Sequence, residues 1–141
     1  MDGQVGEVQP AVHFEKLVQV AVTVSDLVRA KAFYRDIVGM KLLFEAGNMC
    51  FFQCGGVRFM IGTQEDGKPV SGSGTILYFH VADIHRAYDS VADRGVEVLQ
   101  KPHLIAKMTD HDLWLALIKD PDGNVLGMMS EMAHAVGDAK G

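Results

Sequence analysis

The sequence predicts an α+β domain made of two pseudo-symmetric halves, and two observations support this. First, residues 24–30, Val-Ser-Asp-Leu-Val-Arg-Ala, recur 57 residues later at 81–87 (24 to 81) as Val-Ala-Asp-Ile-His-Arg-Ala. Second, each copy follows an apolar run and leads into a helical pattern that stops near a glycine, Gly39 or Gly95. A repeat of this length is too long for a solenoid unit and indicates two related half-modules.

The first half, residues 16–68, begins with a run rich in β-branched residues at 17–24, which is typical of a strand. Ser25 or Asp26 can cap the helix that follows, in which apolar residues recur at helical spacing as far as Val38. Three more apolar runs have the character of strands: 41–45, 49–54 and 57–61. The last two flank Gly55-Gly56, which is a strong hairpin signal.

The second half, residues 74–132, repeats this order, with a strand at 75–81 and a helix at 83–94. Four more strands are predicted: 96–100, 103–108, 113–119 and 125–130. Each half is therefore β-α-β-β-β, give or take one short strand. The turn-rich segment 67–74 joins the halves into a single domain at 16–132, and we expect flexible tails at 1–15 and 133–141.

Composition narrows the classes of partner. The net charge of -5 and the absence of a basic cluster argue against a nucleic-acid partner. No apolar run approaches the roughly 20 residues that cross a bilayer, so no membrane partner is expected. If 50–54 is a strand, the Cα atoms of Cys50 and Cys54 lie about 13 Å apart, too far for a disulfide. A reduced, cytoplasmic protein is the simplest interpretation.

The repeated segment carries a resemblance to a known family. Val24-x-Asp26-Leu27-x-Arg29-Ala30, continued by Phe33-Tyr34 and Gly39-Met40, resembles the first-helix signature of the vicinal oxygen chelate superfamily. That superfamily includes glyoxalase I, bleomycin-resistance proteins and extradiol dioxygenases. Asp-Pro-Asp-Gly-Asn at 120–124 resembles its final hairpin turn. Over residues 17–131, the resemblance implies paired βαβββ modules that form a cupped mixed sheet around a cavity. The helices are then expected on the outer face of that cup, which is the side of the sheet away from the cavity.

In metal-dependent members of this superfamily, four side chains of the cup, usually His, Glu or Gln, bind one divalent ion. Carried over residue by residue, the resemblance places Gln19, Met60, Ile76 and Gly127 at these positions. The internal repeat pairs Gln19 with Ile76, and it pairs Met60 with Gly127, each four residues after a hairpin glycine. Only Gln19 offers a donor to a hard divalent ion. We therefore expect no metal at the usual site and no other cofactor.

The histidines leave an alternative open. His80 shares strand parity with Ile76 and Tyr78 and is expected to face the cup, although a bond to a neighbouring strand or turn near the rim is nearly as good an interpretation. His103 and His111 could meet it in a substitute three-imidazole metal site, but nothing in the spacing requires this.

The remaining positions predict an apolar cleft. Its expected floor is Met60, Ile76, Tyr78 and Gly127, with Gln19 and His80 as polar handles and with room for ligand bulk at Gly127. Trp114 and Phe51 or Phe52 could add stacking walls, or they could be ordinary core aromatics.

Three functions follow from the sequence. The leading hypothesis is a small-molecule binding protein, similar in logic to bleomycin-resistance proteins, that uses no metal. The resemblance implies that it forms a homodimer. The alternative is a metal-dependent lyase, isomerase or dioxygenase with a displaced metal. A third possibility is a partner-binding module that uses the helices as its functional surface.

Overall fold

The computed structural model of the chain describes residues 9–64 and 75–134. The strands of the first half are β1 (Gln19–Thr23), β2 (Lys41–Ala46), β3 (Met49–Cys54) and β4 (Val57–Gly62). The strands of the second half are β5 (Leu77–His80), β6 (Val98–Lys107), β7 (Asp112–Lys119) and β8 (Val125–Met132). Helix α1 (Leu27–Ala32) continues into a π-helical turn (Phe33–Ile37), and α2 (Ile84–Asp93) is its counterpart. The α+β fold of two βαβββ halves is confirmed.

Each half forms its own four-stranded mixed sheet. The strand orders are β1-β4-β3-β2 and β5-β8-β7-β6, and the first two strands of each order are parallel. Ala21 lies opposite Met60 in the first sheet, and Tyr78 lies opposite Gly127 in the second. These pairs are 57 (21 to 78) and 67 (60 to 127) positions apart. The register therefore confirms that Met60 and Gly127 occupy equivalent positions.

The repeated aspartates begin the two helices. Asp26 and Asp83 have nearly the same extended backbone, with φ of -133° and -137°, and each side chain accepts a hydrogen bond from a backbone N–H of the first helical turn. This is the N-capping that the sequence predicts. Gly39 and Gly95 follow the helices with φ of +74° and +80°, a conformation that glycine adopts without strain. Neither helix in the described ranges has the length and apolar character that crossing a membrane requires.

The two helices differ by one residue. Thirteen positions separate Asp26 from Gly39 (26 to 39), whereas twelve separate Asp83 from Gly95 (83 to 95). The π-helical turn at Phe33–Ile37 accommodates the extra residue, because each such turn holds one residue more than an α-helical turn.

One hydrophobic core contains residues of both halves. The rings of Phe59 on β4 and Phe79 on β5 lie 6.0 Å apart, edge to face, between the two sheets. The buried members of this core are Val24, Ala30, Phe33, Tyr34, Met40, Cys50, Phe52, Phe59, Ile61, Ile84, Val91, Ala116, Ile118, Leu126 and Met128. Because successive strand residues point to opposite faces, the other face of each sheet is directed away from this core. We call these surfaces the outer faces.

A buried hydrogen bond joins the first helix to the last hairpin turn. Tyr34 is fully buried, and its hydroxyl donates to Oδ2 of Asp120 at 2.7 Å. Asp120 also accepts from the backbone N–H groups of Asp122 and Asn124, at 2.9 and 2.8 Å, and from the Asn124 amide at 2.8 Å. Burial, and then the nearby Asp120 carboxylate, raise the pKa of Tyr34 far above its ordinary value, so the hydroxyl remains a donor.

Two predicted elements differ from the structure. The strand expected at 75–81 is shorter, spanning Leu77–His80. The strands expected at 96–100 and 103–108 are one edge strand, β6, whose register against β7 shifts at three places. Because β6 is an edge strand and its pairing is irregular, Pro102 fits within it although proline has no N–H to donate.

The expected linker at 67–74 lies outside the described residues, as do 1–8 and 135–141 of the expected tails. Of the expected C-terminal tail, His134 is described, and its Nδ1 lies 2.7 Å from Oδ1 of the buried Asp112. The Asp112 carboxylate raises the pKa of His134, an effect that favours their pairing when the imidazole is protonated.

Replacing Tyr34 with phenylalanine keeps the ring but removes one of the donors to Asp120. We expect the free energy of unfolding to fall by about 1.5–3 kcal/mol, as for other hydrogen bonds to charged groups. Urea denaturation measures this value. Tyr88→Phe on α2 is the matched control, because the half-buried Tyr88 makes no hydrogen bond to the described residues. Equal losses in the two variants would contradict a structural role for the Tyr34–Asp120 bond.

Candidate functional site

The outer face of the first sheet carries two of the four positions implied by the resemblance. Gln19 is exposed on β1 and lies opposite Arg58, while the half-buried Met60 lies opposite Ala21. Gln19 and Met60 are therefore diagonal neighbours on one face of the sheet.

The outer face of the second sheet carries the other two positions. Ile76 immediately precedes β5 and is half-buried, and Gly127 on β8 is buried. A Cβ atom added at Gly127 would lie 2.7 Å from Cε1 of Tyr78 and closer still to its Cδ1. The phenol ring therefore rests on the glycine backbone and fills the place of a side chain. The expectation that Gly127 leaves room for ligand bulk is wrong for this reason.

The two halves thus reverse the sizes of one cross-strand pair. In the first sheet a small residue, Ala21, lies opposite a large one, Met60. In the second sheet the large residue is Tyr78 on β5 and the small one is Gly127 on β8. Tyr78 is still 52% exposed, so one side of its ring is free to contact a ligand.

The donor set does not fit a divalent ion. Gln19 offers one amide oxygen and Met60 a thioether, while Ile76 and Gly127 offer nothing, and the Tyr78 ring covers the glycine. Within residues 9–64 and 75–134, no three His, Cys, Asp or Glu side chains form a group that could hold a metal ion.

The substitute histidine site is not formed either. His80 lies on β5 and His103 on β6, at opposite edges of the second sheet, so three strand spacings of about 4.8 Å separate them. Nδ1 of His103 lies 2.9 Å from the carbonyl oxygen of Lys101, and Nδ1 of His111 lies 2.6 Å from Oδ1 of Asp110. In each of these two rings, Nδ1 therefore already has a hydrogen-bond partner from a residue nearby in the sequence.

Of the predicted aromatic walls, one faces the outer surface. Trp114 is on the core face of β7, where its ring meets that of His85 at 4.9 Å, edge to face. Phe52 is fully buried in the core. Phe51 lies on the outer face, and its ring stacks on that of Phe44 with centroids 4.5 Å apart and planes 17° apart.

Sequence reasoning missed Phe44 and Arg58. Regular alternation puts Phe44 on the same face as the core residue Leu42, but the register shifts between them and turns Phe44 outward. The Arg58 guanidinium lies 5.9 Å from the centroid of the Phe51 ring. Arg58 shares strand parity with Met60, and this signal could have identified it. We call Phe44, Phe51 and Arg58 the aromatic shelf.

The described chain does not bring the two outer faces together. Gln19, Met60 and the aromatic shelf lie on one sheet, and Tyr78 and Gly127 lie on the other. The core faces of the two sheets meet, so the outer faces are directed away from each other. A cup lined by both faces is therefore not formed by the described residues of one chain.

Comparisons with known proteins agree with this fold. The family model for the Glyoxalase/Bleomycin resistance protein/Dioxygenase superfamily matches residues 16–128. The chain is 26% identical over 127 residues to an uncharacterized protein of Bacillus subtilis, YraH, in a match that covers 79% of this chain and 94% of that protein.

Solved structures show the same architecture. A glyoxalase/bleomycin resistance protein/dioxygenase family enzyme from Burkholderia phytofirmans is similar with a TM-score of 0.69 and 17% identity, over 82% of this chain and 98% of that one. A superfamily member from Sphaerobacter thermophilus is similar with a TM-score of 0.66 and 24% identity, over 84% of this chain and 98% of that one. A lactoylglutathione lyase from Agrobacterium tumefaciens is similar with a TM-score of 0.65 and 18% identity, over 86% of this chain and 94% of that one. At these identities the similarity to the solved structures shows the fold alone. The family model spans most of the sequence, and it shows that the chain belongs to the Glyoxalase/Bleomycin resistance protein/Dioxygenase superfamily.

Proposed function

We propose that this protein binds a small, partly apolar molecule on the outer faces of its sheets, without a divalent ion at the four family positions. The observation that carries the proposal is the Tyr78 ring lying on Gly127. It replaces a possible metal ligand with an apolar, half-exposed surface. Binding therefore depends on contact with rings and on a few polar groups, as in most small-molecule sites.

The aromatic shelf supports this proposal from the first sheet. Phe44 is 48% exposed, so its stacked ring presents a flat apolar surface. Arg58 is exposed beside the same surface, and Gln19 lies opposite it on the neighbouring strand. A flat apolar ligand that carries an anionic group would pair its ring with the phenylalanines and its charge with Arg58.

We also propose that two chains pair so that the first sheet of one faces the second sheet of the other. This would give each cup an aromatic shelf and a Tyr78–Gly127 surface, and each interface would be repeated by the two-fold axis. The segment before β1 supports pairing because it is apolar and open to solvent, with Phe14 90% exposed and Val12 and Leu17 each 65% exposed.

The free thiols of Cys50 and Cys54 support a reducing, cytoplasmic setting.

Purified protein equilibrated with Zn²⁺, Ni²⁺, Mn²⁺ or Fe²⁺ and then desalted is expected to retain less than about 0.1 equivalents of metal. The physical reason is that one amide and one thioether cannot replace three or four charged or imidazole donors. Inductively coupled plasma mass spectrometry gives the metal content. One equivalent of metal that is lost in Gln19→Ala or His80→Ala would instead support a metal-dependent lyase, isomerase or dioxygenase.

The anionic aromatic dye 8-anilinonaphthalene-1-sulfonate is a probe for the aromatic shelf. Arg58→Gln is expected to raise its dissociation constant about fivefold, since an exposed cation near a ring and an anion contributes about 1 kcal/mol. Fluorescence titration measures the constant. Arg86→Gln removes the same charge from an exposed position on α2 and serves as the control. Equal effects of the two substitutions would show that the dye responds to net charge and would contradict a site at the shelf.

Light scattering after size-exclusion chromatography tests the pairing. We expect about 30.8 kDa for two chains of 15.4 kDa (2 × 15.4), and a shift toward 15.4 kDa in Phe14→Asp, because a charge there would be buried in the interface. Val28→Asp on α1, at a position 76% exposed, is the control and should stay dimeric. If Val28→Asp rather than Phe14→Asp gives the monomer, the helices are the interaction surface and the proposed pairing is wrong.

A further inference from the structure

A cavity of about 380 Å³ lies between the two halves, on the core side of the sheets and away from the outer faces. Its wall includes the end of the π-helical turn with the residues that follow it to Met40, one face of α2, and the β3–β4 turn. Among the residues that line it are Val91 on α2 and Cys54 at the end of β3. The volume is within the range of about 300–1,000 Å³ that is usual for small-molecule sites.

The hydrogen bonds that close the helices identify the equivalent of Val91 in the other half. After α1, the N–H of Met40 donates to the carbonyl of Tyr34 at 2.8 Å. After α2, the N–H of Val96 donates to the carbonyl of Val91 at 3.1 Å. Met40 and Val96 each follow the glycine that ends the helix. Tyr34 and Val91 are therefore equivalent.

The hairpin registers identify the equivalent of Cys54. Cys54 lies opposite Val57 at the end of the first hairpin. Asp120 holds the same place in the second, because its N–H donates to the carbonyl of Asn124 at 2.9 Å. Val57 and Asn124 are 67 positions apart (57 to 124), which is the same separation as Met60 and Gly127. Cys54 is therefore the counterpart of Asp120.

The two places where a helix faces a hairpin turn are thus equivalent in position, but different side chains occupy them. On one side the Tyr34 ring occupies the space, and its hydroxyl donates to Asp120. On the other side the shorter side chains of Val91 and Cys54 leave a cavity between the helix and the turn. By position, the cavity therefore corresponds to the place of the Tyr34 ring in the other half.

We propose that this cavity is a second ligand site, specific for a compact, neutral, single-ring aromatic molecule with a hydroxyl group. The ring takes the place that the side chain of Tyr34 takes in the other half. None of the described residues that line the cavity is an Asp, Glu, Lys or Arg, so a permanently charged ligand would lack a partner there. Ser90 on α2 lines it and provides a hydroxyl that can pair with the hydroxyl of the ligand.

The site is separate from the outer faces, and it can be tested separately. The probe is 4-methylphenol, which has the ring and hydroxyl of a tyrosine side chain. At about ten times its dissociation constant it should raise the melting temperature by roughly 4–6 °C. Benzoate, which has a similar ring but a negative charge, should produce no rise. Tyr78→Ala changes only the outer face and should respond to 4-methylphenol as the wild type does.

Val91→Tyr rebuilds the ring that the other half contains. This variant should melt at a higher temperature than the wild type without ligand, and it should lose the response to 4-methylphenol. Val28→Tyr makes the same change at an exposed position on α1 and should keep the response. If Val91→Tyr folds and still responds, the probe binds elsewhere and the proposal is wrong.

A chemical measurement on the wild type gives an answer even if Val91→Tyr does not fold. Cys54 is alkylated with iodoacetamide at pH 9, because burial raises the pKa of this thiol, and mass spectrometry follows the reaction. The alkylation rate should fall at least fivefold in saturating 4-methylphenol. The other free cysteine, Cys50, lies outside the cavity lining, is buried, and is the internal reference. An unchanged rate at Cys54, or an equal slowing at both cysteines, would overturn the proposal.

Discussion

The hydrogen bond from Tyr34 to Asp120 is the contact on which the arrangement of the two halves depends. It joins a helix of the first half to a turn of the second across a buried interface, and three further N–H groups satisfy the same carboxylate. A buried carboxylate is tolerated only with such partners, so the interaction is specific to one geometry. Asp122 in the same turn accepts hydrogen bonds from Ser25, in the loop before the first helix. The turn therefore fixes the first half at two points.

This arrangement determines what the sheets present to solvent. Because the core faces of both sheets meet, the surfaces that carry the four positions implied by the resemblance are directed outward. On these surfaces the size order of one residue pair differs between the halves, with Met60 large in one sheet and Tyr78 large in the other. The strand register is the same in both, so the scaffold is retained while the chemistry of its surface differs.

The features that the sequence predicted correctly are local ones. The aspartate caps, the glycine helix ends and the equivalence of the strand positions all follow from short patterns repeated in the chain. The features that it missed depend on contacts between strands. Nothing local to Phe44 indicates the bulge that turns it outward, and nothing local to Gly127 indicates where the ring of its neighbour lies. The face of Trp114 stayed open between a ligand wall and the core because β7 is apolar on both faces, so its pattern has no polar alternation.

The irregular pairing of the edge strands β2 and β6 also has a consequence for solubility. An exposed edge with regular hydrogen bonding is a template on which strands of other molecules can add and form aggregates. β2 has one register shift and β6 has three, and β6 also contains Pro102 and the lysines at its positions 101 and 107. These features make both edges poor templates for strand addition. The outer faces can then stay exposed to solvent while the adjoining edges resist fibril-like growth.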